Sequence, residues 1–385
     1  MTAPGRLHVL YLIDTLRPGG AERSLAALAP HYRDLGIKLD VATLVDTDGI
    51  QEELEAGGAE LFSVGPGGGR VGRARRFADL VRDRRPDLVH TTLFESDIIG
   101  RVGARAARTP VVSSLVNEAY GPEHAAEPGI RESRLRPAQA LDALTARATV
   151  RMHAVSERVS VIMSRRLMYP RSRIDVIPRG RDPLVLGRRT TARRERVRGA
   201  LGVARATMVV LAVARQEPPK DLGTLVKAFA RVRAVQMASH LYIAGRPGSA
   251  TSNLERAIAE LELGASVTLL GERADVADLL CAADVFVLSS RREGMPGSVI
   301  EAMALETPIV ASDLPQVCEI ASDGCAMLVR AGDVDGFARA ILDCENHRDS
   351  TKRRVECAFT RFGEHFTIAD TARRMLGFYE RCMTK

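Results

Sequence analysis

The segment REGMPGSVIEAM, residues 292–303, holds two glutamates, Glu293 and Glu301, eight positions apart around two glycines and a proline. It follows the strand-like run DVFVLSS, and its spacing predicts a helix beginning near Ser298. The free N–H groups of a helix N-terminus bind phosphate oxygens, and Gly297 would let a ligand approach the backbone closely. Glu301 could accept hydrogen bonds from two adjacent ribose hydroxyls, and Glu293 from a second sugar. Compensation of the helix dipole and a solvated loop carboxylate are the plainer alternatives.

Two further loops carry residues of matching chemistry. Arg215 and Lys220 follow the apolar run MVVLAVA. Two cations there could bind a diphosphate and stabilise the charge that develops as it leaves. The alternative is that both are solvated residues at the start of a helix. Gly19 and Gly20, between the first predicted strand and helix, would let the backbone approach a ligand or would form only a tight turn.

The elements that must position these loops are short β-branched runs that alternate with amphipathic segments. This alternation predicts parallel βαβ units with both faces of each sheet covered. We predict one doubly wound α/β domain over residues 1–182, a linker over 183–204, a second such domain over 205–362, and a terminal helix over 363–385 that packs back on the first domain. Two such domains facing each other would enclose a ligand in a central cleft beyond the carboxyl ends of their strands.

Length and composition are those of a soluble two-domain protein. The chain has 385 residues, 45% hydrophobic and 27% charged, and its longest apolar run is too short for a membrane span. The first apolar segment lacks a cleavage pattern, so we expect a cytoplasmic protein. The net charge of +7 is concentrated in Arg-rich stretches such as 73–86 and 187–198. We interpret these as solvated helix faces rather than a nucleic-acid site, with peripheral membrane contact through 73–85 as the alternative.

Two motifs point to other enzyme classes. The glycines at 67, 69 and 72 match the GxGxxG of nicotinamide-dependent dehydrogenases, but Asp87 begins the next predicted strand instead of ending it, so a ribose contact is not expected. Two Asp-x-Asp pairs could hold a metal through donor phosphates, at 46/48 and 333/335. We predict that Asp333 is a helix N-cap and that no metal is required. The six cysteines lack metal-ligand spacing, and we expect reduced thiols.

Taken together, the sequence resembles the retaining GT-B glycosyltransferases of family 4, whose C-terminal domain carries two glutamates separated by seven residues. That motif is Glu293 and Glu301 here, accompanied by VARQEPPKD, the N-terminal GGAE, HAVSERV and DVIPRG. The resemblance covers almost the whole chain. It implies the GT-B fold, with two facing Rossmann-like domains, and retaining transfer of a sugar from a nucleotide diphosphate sugar. UDP is favoured, and no cofactor beyond this co-substrate is implied.

The resemblance also implies roles for individual residues. The catalytic set would be Glu293 at the transferred sugar, with Arg215 and Lys220 on the donor diphosphate. Glu301 would bind the ribose, and Gly271 would lie near the nucleobase. A phosphate oxygen would take the acceptor's proton. The donor-binding set is completed by Gly19, Gly20, Gly294, Met295, Pro296, Gly297, Ser298 and Val299.

The sequence departs from the family pattern at two places. The histidine common after the fifth strand is replaced by Val116 or Asn117, and the usual Asn–Gly after the seventh strand is Arg179–Gly180. His90 and His153 lie at other strand ends, and we predict structural roles for both.

The acceptor is the least determined part of the reaction. We expect it to contact Asn117 and Glu118, in the charged loop 117–137, and to be a small polyhydroxylated natural-product-type molecule. A lipid-linked or polysaccharide acceptor at a membrane surface is an alternative. Two other classes of protein are alternatives to a glycosyltransferase: a sugar-nucleotide 2-epimerase and a non-catalytic sugar-nucleotide-binding protein. The sequence does not indicate an oligomeric state.

Overall fold

The chain folds into two compact units. The computed structural model describes residues 7–125, 132–321 and 324–383. The first unit is Met1–Gly180 with Thr367–Lys385, and the second is Arg181–Phe366. Each is built on a parallel sheet with helices packed on it, which confirms the predicted pair of Rossmann-like α/β domains.

Within the described residues the sheet of the first unit has seven parallel strands in the order β3-β2-β1-β4-β5-β6-β7. Its strands are β1 (Leu7–Ile13), β2 (Ile37–Thr43), β3 (Glu60–Ser63), β4 (Leu88–Thr92), β5 (Val111–Leu115), β6 (Met152–Ala154) and β7 (Ile174–Val176). Its helices are α1 (Gly20–Asp34), α2 (Gln51–Ala56), α3 (Gly69–Arg84), α4 (Phe94–Ala107), α5 (Pro122–Ala125), α6 (Glu132–Ala146) and α7 (Glu157–Arg166).

Both faces of this sheet are buried, which explains why its central strands are continuous apolar runs. Alternate residues of β1 point to opposite faces. Val9 and Ile13 join a core with Leu25 of α1, and Leu10 and Leu12 join a separate core with residues of α3 and α4. A single strand therefore contributes to two hydrophobic cores.

The second unit has six parallel strands in the described part of the chain, in the order β10-β9-β8-β11-β12-β13. They are β8 (Met208–Val213), β9 (Ser239–Ala244), β10 (Val267–Gly271), β11 (Val285–Leu288), β12 (Ile309–Ser312) and β13 (Met327–Val329). Its helices are α8 (Pro183–Leu186), α9 (Thr191–Ala200), α10 (Leu222–Val235), α11 (Thr251–Glu260), α12 (Val276–Ala282), α13 (Gly297–Ala304), α14 (Pro315–Ala321), α15 (Val334–Asn346) and α16 (Arg348–His365). The prediction that Asp333 caps α15 is confirmed, since its carboxylate accepts from the Gly336 N–H at 2.9 Å.

The last helix, α17 (Ile368–Met383), belongs to the first unit. Its Phe378 and Tyr379 are fully buried in the same core as Tyr32 of α1. The chain therefore leaves the first unit after Gly180 and returns to it at Thr367.

Residues 183–204, which we predicted as a linker, instead form α8 and α9 of the second unit, and α9 packs against α12. Arg193 is 2.6 Å from Asp278, and Arg194 donates to the carbonyls of Ala282 and Ala283. Cations are favourable at the C-terminal end of a helix such as α12. The Arg-rich composition thus reflects partners elsewhere in the sequence, not an exposed connection.

A second correction concerns the cysteines. Cys325 and Cys357, 32 residues apart, form a disulfide, whereas all six had been expected as reduced thiols. The other four, at 281, 318, 344 and 382, are free.

Candidate functional site

The second unit brings the loops after β8 and β11 together, because these strands are hydrogen-bonded neighbours. β8 is also the strand at which the order of the sheet reverses, and ligands bind at such switch points in doubly wound sheets. The N–H of Arg291 donates to the Pro219 carbonyl at 2.8 Å, and the Ser289 hydroxyl to the Lys220 carbonyl at 3.0 Å. These bonds fix the two loops to each other.

Lys220 and Glu293, both predicted as catalytic, meet at this position. The ammonium of Lys220 lies 2.6 Å from Oε1 of Glu293, and the Ser290 hydroxyl donates to the same oxygen at 2.6 Å. The Glu293 side chain is only 9% exposed and that of Lys220 21% exposed. Glu293 is therefore not the solvated loop carboxylate considered as the alternative. Its second oxygen leaves capacity to accept from a ligand.

Helix α13 begins at Gly297, one residue before the predicted position, and its N-cap residue, Pro296, makes no side-chain capping hydrogen bond. Gly294, Met295 and Pro296 form the loop that leads into it, and Ser298 lies in its first turn. The side chains of Met295 and Val299 are buried, so these residues can offer only backbone groups to a ligand.

Arg215 lies at the carboxyl end of β8 with an exposed side chain. Among the described residues, that side chain makes no hydrogen bond or ion pair, which leaves it available to an anion. Gly271 ends β10 with φ +66°, a left-handed conformation that favours glycine, and its carbonyl accepts from the Gly245 N–H at 2.7 Å. Arg215, Gly271 and Glu293 thus lie at or just after the carboxyl ends of β8, β10 and β11.

Glu301 has a partner that the sequence reasoning missed. Its Oε1 accepts from Nε of Arg181 at 2.6 Å, and the two side chains are 15% (Arg181) and 19% (Glu301) exposed. A Cβ added at Gly297 would overlap a terminal nitrogen of the same guanidinium. Nothing in the motif spacing points to Arg181, since it lies 120 residues away in the sequence.

The remaining predicted residues lie in the first unit. Helix α1 begins at Gly20, and Gly19 is its N-cap. A side chain at Gly19 would meet the carboxylate of Glu22, and one at Gly20 would meet the guanidinium of Arg179. Both contacts are with the ends of flexible side chains, which a larger residue would displace. Arg179, which replaces the family's asparagine, lies at the N-terminal end of α1.

A cavity of about 450 Å³ opens at the carboxyl ends of β1, β4 and β5, the switch point of the first sheet. Asn117 lies in its wall, whereas the Glu118 carboxylate is directed to Arg158 at 3.1 Å. Leu93 at its edge has φ +81°, a strained conformation of the kind that clusters at binding sites. The loop 117–137 is described except for residues 126–131. The other lining residues include Asp14, Phe94, Asp97, Tyr120, His124, Arg134 and Asp142.

The carboxylates of this cavity are electrostatically coupled. Arg101 is fully buried and lies 2.6 Å from Asp142 and 3.3 Å from Asp97. Burial raises the pKa of Asp97 to about 7, although the neighbouring guanidinium opposes this. Burial likewise raises the pKa of Asp14, which accepts hydrogen bonds from Ser96. The cavity can therefore present both charged and protonated carboxyl groups to hydroxyls or amines.

The two candidate histidines are part of a buried hydrogen-bond chain. Nε2 of His153 donates to the Ile177 carbonyl at 2.8 Å, so its Nδ1 must accept from the Ser114 hydroxyl at 2.9 Å. Ser114 then accepts from Nε2 of His90 at 2.7 Å, and Nδ1 of His90 accepts from the Tyr379 hydroxyl at 2.7 Å. Burial lowers the pKa of His153 to about 4 and that of His90 well below its usual value. Every ring nitrogen of the two histidines is engaged, so this hydrogen-bond chain supports the structural roles predicted for them.

Two global features bear on the kind of site. Residues 7–125, 132–321 and 324–383 contain no group of three or more His, Cys, Asp or Glu side chains that could hold a metal ion. Over the same ranges no helix is both long and apolar enough to cross a membrane.

Comparison with known proteins identifies the domain families of the two halves of the chain. Residues 18–183 match the model of the Glycosyltransferase Family 4 domain, and residues 207–347 match that of Glycosyl transferases group 1. An Escherichia coli relative, UDP-Gal:alpha-D-GlcNAc-diphosphoundecaprenol alpha-1,3-galactosyltransferase, is 27% identical over 68% of this chain and 67% of its own length. A D-inositol 3-phosphate glycosyltransferase of Stackebrandtia nassauensis is 30% identical over 54% of this chain. The chain spans about half (48%) of that second relative.

Solved structures show the same fold. Anabaena HepE in complex with UDP-glucose superimposes with a TM-score of 0.85 at 23% identity, over 97% of this chain and 100% of that one. WaaG, a glycosyltransferase involved in lipopolysaccharide biosynthesis, superimposes with a TM-score of 0.75 at 16% identity, over 95% of this chain and 98% of that one. The two domain models together match most of the sequence, and the chain belongs to the GT-B glycosyltransferases of family 4, with a glycosyl transferases group 1 domain in its second half.

Proposed function

We propose that the chain is a retaining glycosyltransferase that moves a hexosyl or N-acetylhexosaminyl group from a nucleotide diphosphate sugar, with UDP favoured, to a hydroxyl group. The observation that carries this proposal is the Lys220–Glu293 pair, whose glutamate lies four residues before the first residue of α13. The names of two similar proteins support the choice of nucleotide, since one is a UDP-Gal transferase and the other binds UDP-glucose.

The residues suit a reaction that needs no metal. A departing diphosphate gains negative charge in the transition state, and preorganised cations and backbone N–H groups stabilise that charge. Arg215, Lys220 and the N-terminus of α13 would supply both kinds of group. The acceptor oxygen bonds to the anomeric carbon as the bond to the diphosphate breaks, and a phosphate oxygen takes the acceptor's proton. Attack on the face that the diphosphate leaves would retain the anomeric configuration.

The two glutamates would hold the two sugars of the donor. The free oxygen of Glu293 would accept from the transferred sugar, and Glu301 from the ribose hydroxyls. Because the Glu293 carboxylate also pairs with Lys220, it would connect the transferred sugar to the cation that binds the leaving diphosphate. Gly271 would lie near the nucleobase, since a Cβ at this position would meet nothing within 4 Å.

For the acceptor we propose a small polyhydroxylated molecule bound in the cavity of the first unit, through Asn117 and the neighbouring carboxyl groups. Several convergent polar groups and an aromatic wall suit a sugar or cyclitol. A lipid-linked acceptor is the second candidate. The name of the Escherichia coli relative and the Arg-rich helix α3, on which Val71 is 85% exposed, favour it.

The proposal is tested by donor turnover with UDP-, GDP- and dTDP-sugars, with polyols, cyclitols and a lipid-linked sugar as acceptors. Glu293→Gln should lower transfer at least about tenfold, as expected for the loss of hydrogen bonds to a charged group. Glu260→Gln, on an exposed turn of α11, is the matched control. NMR of the product reports the anomeric configuration, and EDTA reports metal dependence. Binding of NAD alone, a 2-epimerised sugar nucleotide, or no product with any acceptor would each contradict the proposal.

A further inference from the structure

Asp14 follows β1 directly and lies in the wall of the cavity of the first unit. Its Oδ1 is held in place, since it accepts from the backbone N–H of Ser96 at 2.9 Å and from the Ser96 hydroxyl at 2.6 Å. In the part of the chain that the structure describes, no group donates a hydrogen bond to Oδ2 of Asp14. One oxygen is therefore fixed to the start of α4, and the other can accept from a ligand in the cavity.

Asp14 also differs from the other aspartates of the cavity wall in its charge balance. Asp97 and Asp142 share the buried guanidinium of Arg101, at 3.3 Å and 2.6 Å. No residue over 7–125, 132–321 and 324–383 forms an ion pair with Asp14, and Arg73 acts on it only through a weaker field. Burial raises the pKa of Asp14, so its negative charge is destabilised in the free protein.

The remaining titratable groups of the cavity wall do not supply the cation. Arg134 has an exposed side chain on α6 and forms no ion pair with Asp14. Nδ1 of His124 accepts from the Tyr120 N–H at 3.0 Å. Since buried charges are normally paired, a ligand with its own cation would suit Asp14 better than a neutral polyol.

The rest of the cavity suits a single polar ring. Its volume of about 450 Å³ lies within the range of small-molecule sites. Asn117 offers an amide to hydroxyl groups, and the Phe94 ring offers an apolar surface to the face of a sugar or cyclitol. The cavity therefore combines contacts for a polyhydroxylated ring with one carboxylate that has no cation.

We propose that the acceptor is an amino sugar or aminocyclitol whose protonated amine pairs with Oδ2 of Asp14. This inference rests on the proposed function and narrows its acceptor from polyhydroxylated molecules in general to those that carry a cation. An ammonium group has no lone pair with which to attack the anomeric carbon. The sugar is therefore transferred to a neighbouring hydroxyl group, and the amine stays free in the product. Ser96 acts through Asp14 and is a positioning residue.

The test is calorimetric binding of two matched pairs, scyllo-inosamine with scyllo-inositol and glucosamine with glucose, with and without UDP. At about pH 6.5 the amines are protonated. The wild type should bind each amine about 10- to 100-fold more tightly than its neutral counterpart, the range for a hydrogen bond between charged groups. Asp14→Asn keeps an oxygen for Ser96 and replaces the other by an amide donor, so it should abolish this preference. Asp79→Asn, which removes the same charge from an exposed pair with Arg82, is the control and should retain it.

Two further measurements separate recognition from a structural role. Asp14→Asn should unfold at the same urea concentration as wild type or a higher one, because it removes a destabilised charge. Ser96→Ala should reduce the preference for the amine by less than Asp14→Asn does, because the backbone N–H still donates to Oδ1.

The inference is overturned if the wild type binds both members of each pair equally, or binds none of the four. A preference that survives in Asp14→Asn, or a product linked through nitrogen, would also overturn it. If UDP binds and neutral acceptors are glycosylated as well as amines, the inference fails while the proposed function stands. If the wild type binds none of UDP, GDP and dTDP, the proposed function fails, whatever the amines do.

Discussion

Replacing Lys220 with methionine tests the central pair of the site, because it removes the charge and keeps most of the volume. In the free protein the change leaves the Glu293 carboxylate with Ser290 as its donor and no cation at 2.6 Å. The same substitution should therefore affect both the stability of the second unit and the affinity for the donor.

The size of the stability effect follows from burial. Exposed ion pairs contribute about 0–1 kcal/mol, whereas breaking a fully buried pair costs about 3–5 kcal/mol. The exposures of 9% for Glu293 and 21% for Lys220 place this pair between those limits. Because the Ser290 hydroxyl still donates to the carboxylate, we expect Lys220→Met to lower the free energy of unfolding by about 1–3 kcal/mol.

The matched design is a cycle of Lys220→Met, Glu293→Gln and the double variant, with Lys227→Met on the exposed face of α10 as control. The double variant leaves no unpaired charge, so it should recover about 1 kcal/mol or more relative to the sum of the single effects. The chain contains no Trp, so urea unfolding is followed by far-UV circular dichroism. Donor affinity of Lys220→Met should fall about 10- to 100-fold.

The reasoning would be refuted by additive single effects in the unfolding cycle together with a donor affinity equal to that of the Lys227→Met control. Additivity alone would mean that the pair is not coupled in solution. Unchanged donor affinity alone would remove Lys220 from the proposed diphosphate site.

Three further outcomes are expected. Arg101→Met should lower the free energy of unfolding of the first unit by about 3–5 kcal/mol, because it leaves buried carboxylates without their cation. A lower midpoint of urea unfolding would report this loss. The pKa of His153 is about 4 when folded, against the ordinary 6.5, so the native state resists protonation. The neutral His153 ring therefore contributes fully to the free energy of unfolding above pH 6.5, and this contribution decreases by up to about 3 kcal/mol as the pH falls toward 4. In urea titrations at several pH values, His153→Gln should flatten this dependence. Alkylation of the denatured chain should label four cysteines without reductant and six with it, and Cys325→Ser should raise the unreduced number to five through the release of Cys357.

The parts of the structure that the sequence predicted are those determined locally. Buried parallel strands are continuous apolar runs, so both sheets could be located from runs such as LHVLYLI and MVVLAVA. Glu293 and Lys220 were predicted because each follows a strand, and neighbouring parallel strands end at the same edge of a sheet. The start of α13 was predicted to within one residue from the spacing of the residues that follow Ser298.

What could not be predicted depends on residues distant in the chain. Arg194 belongs to an Arg-rich stretch that suggested a linker, and only the fold shows that it pairs with Asp284. The Cys325–Cys357 disulfide has no spacing signal. Arg181 follows a departure from the family pattern, but its partner is 120 residues away. Side chains whose roles depend on tertiary partners leave no periodic pattern in the sequence.

Both glutamates of the motif are paired with a cation in this structure, Glu293 with Lys220 and Glu301 with Arg181. Each carboxylate keeps a second oxygen to accept from a hydroxyl, and the Lys220 ammonium keeps donors for a phosphate. On the proposed function, the Lys220–Glu293 pair would therefore join the transferred sugar to the diphosphate. Removing either partner of this pair should then weaken recognition of both the sugar and the phosphate, so the effects of the two substitutions should not be additive. The spacing of the two glutamates places one such pair before the N-terminus of α13 and the other on its first turns.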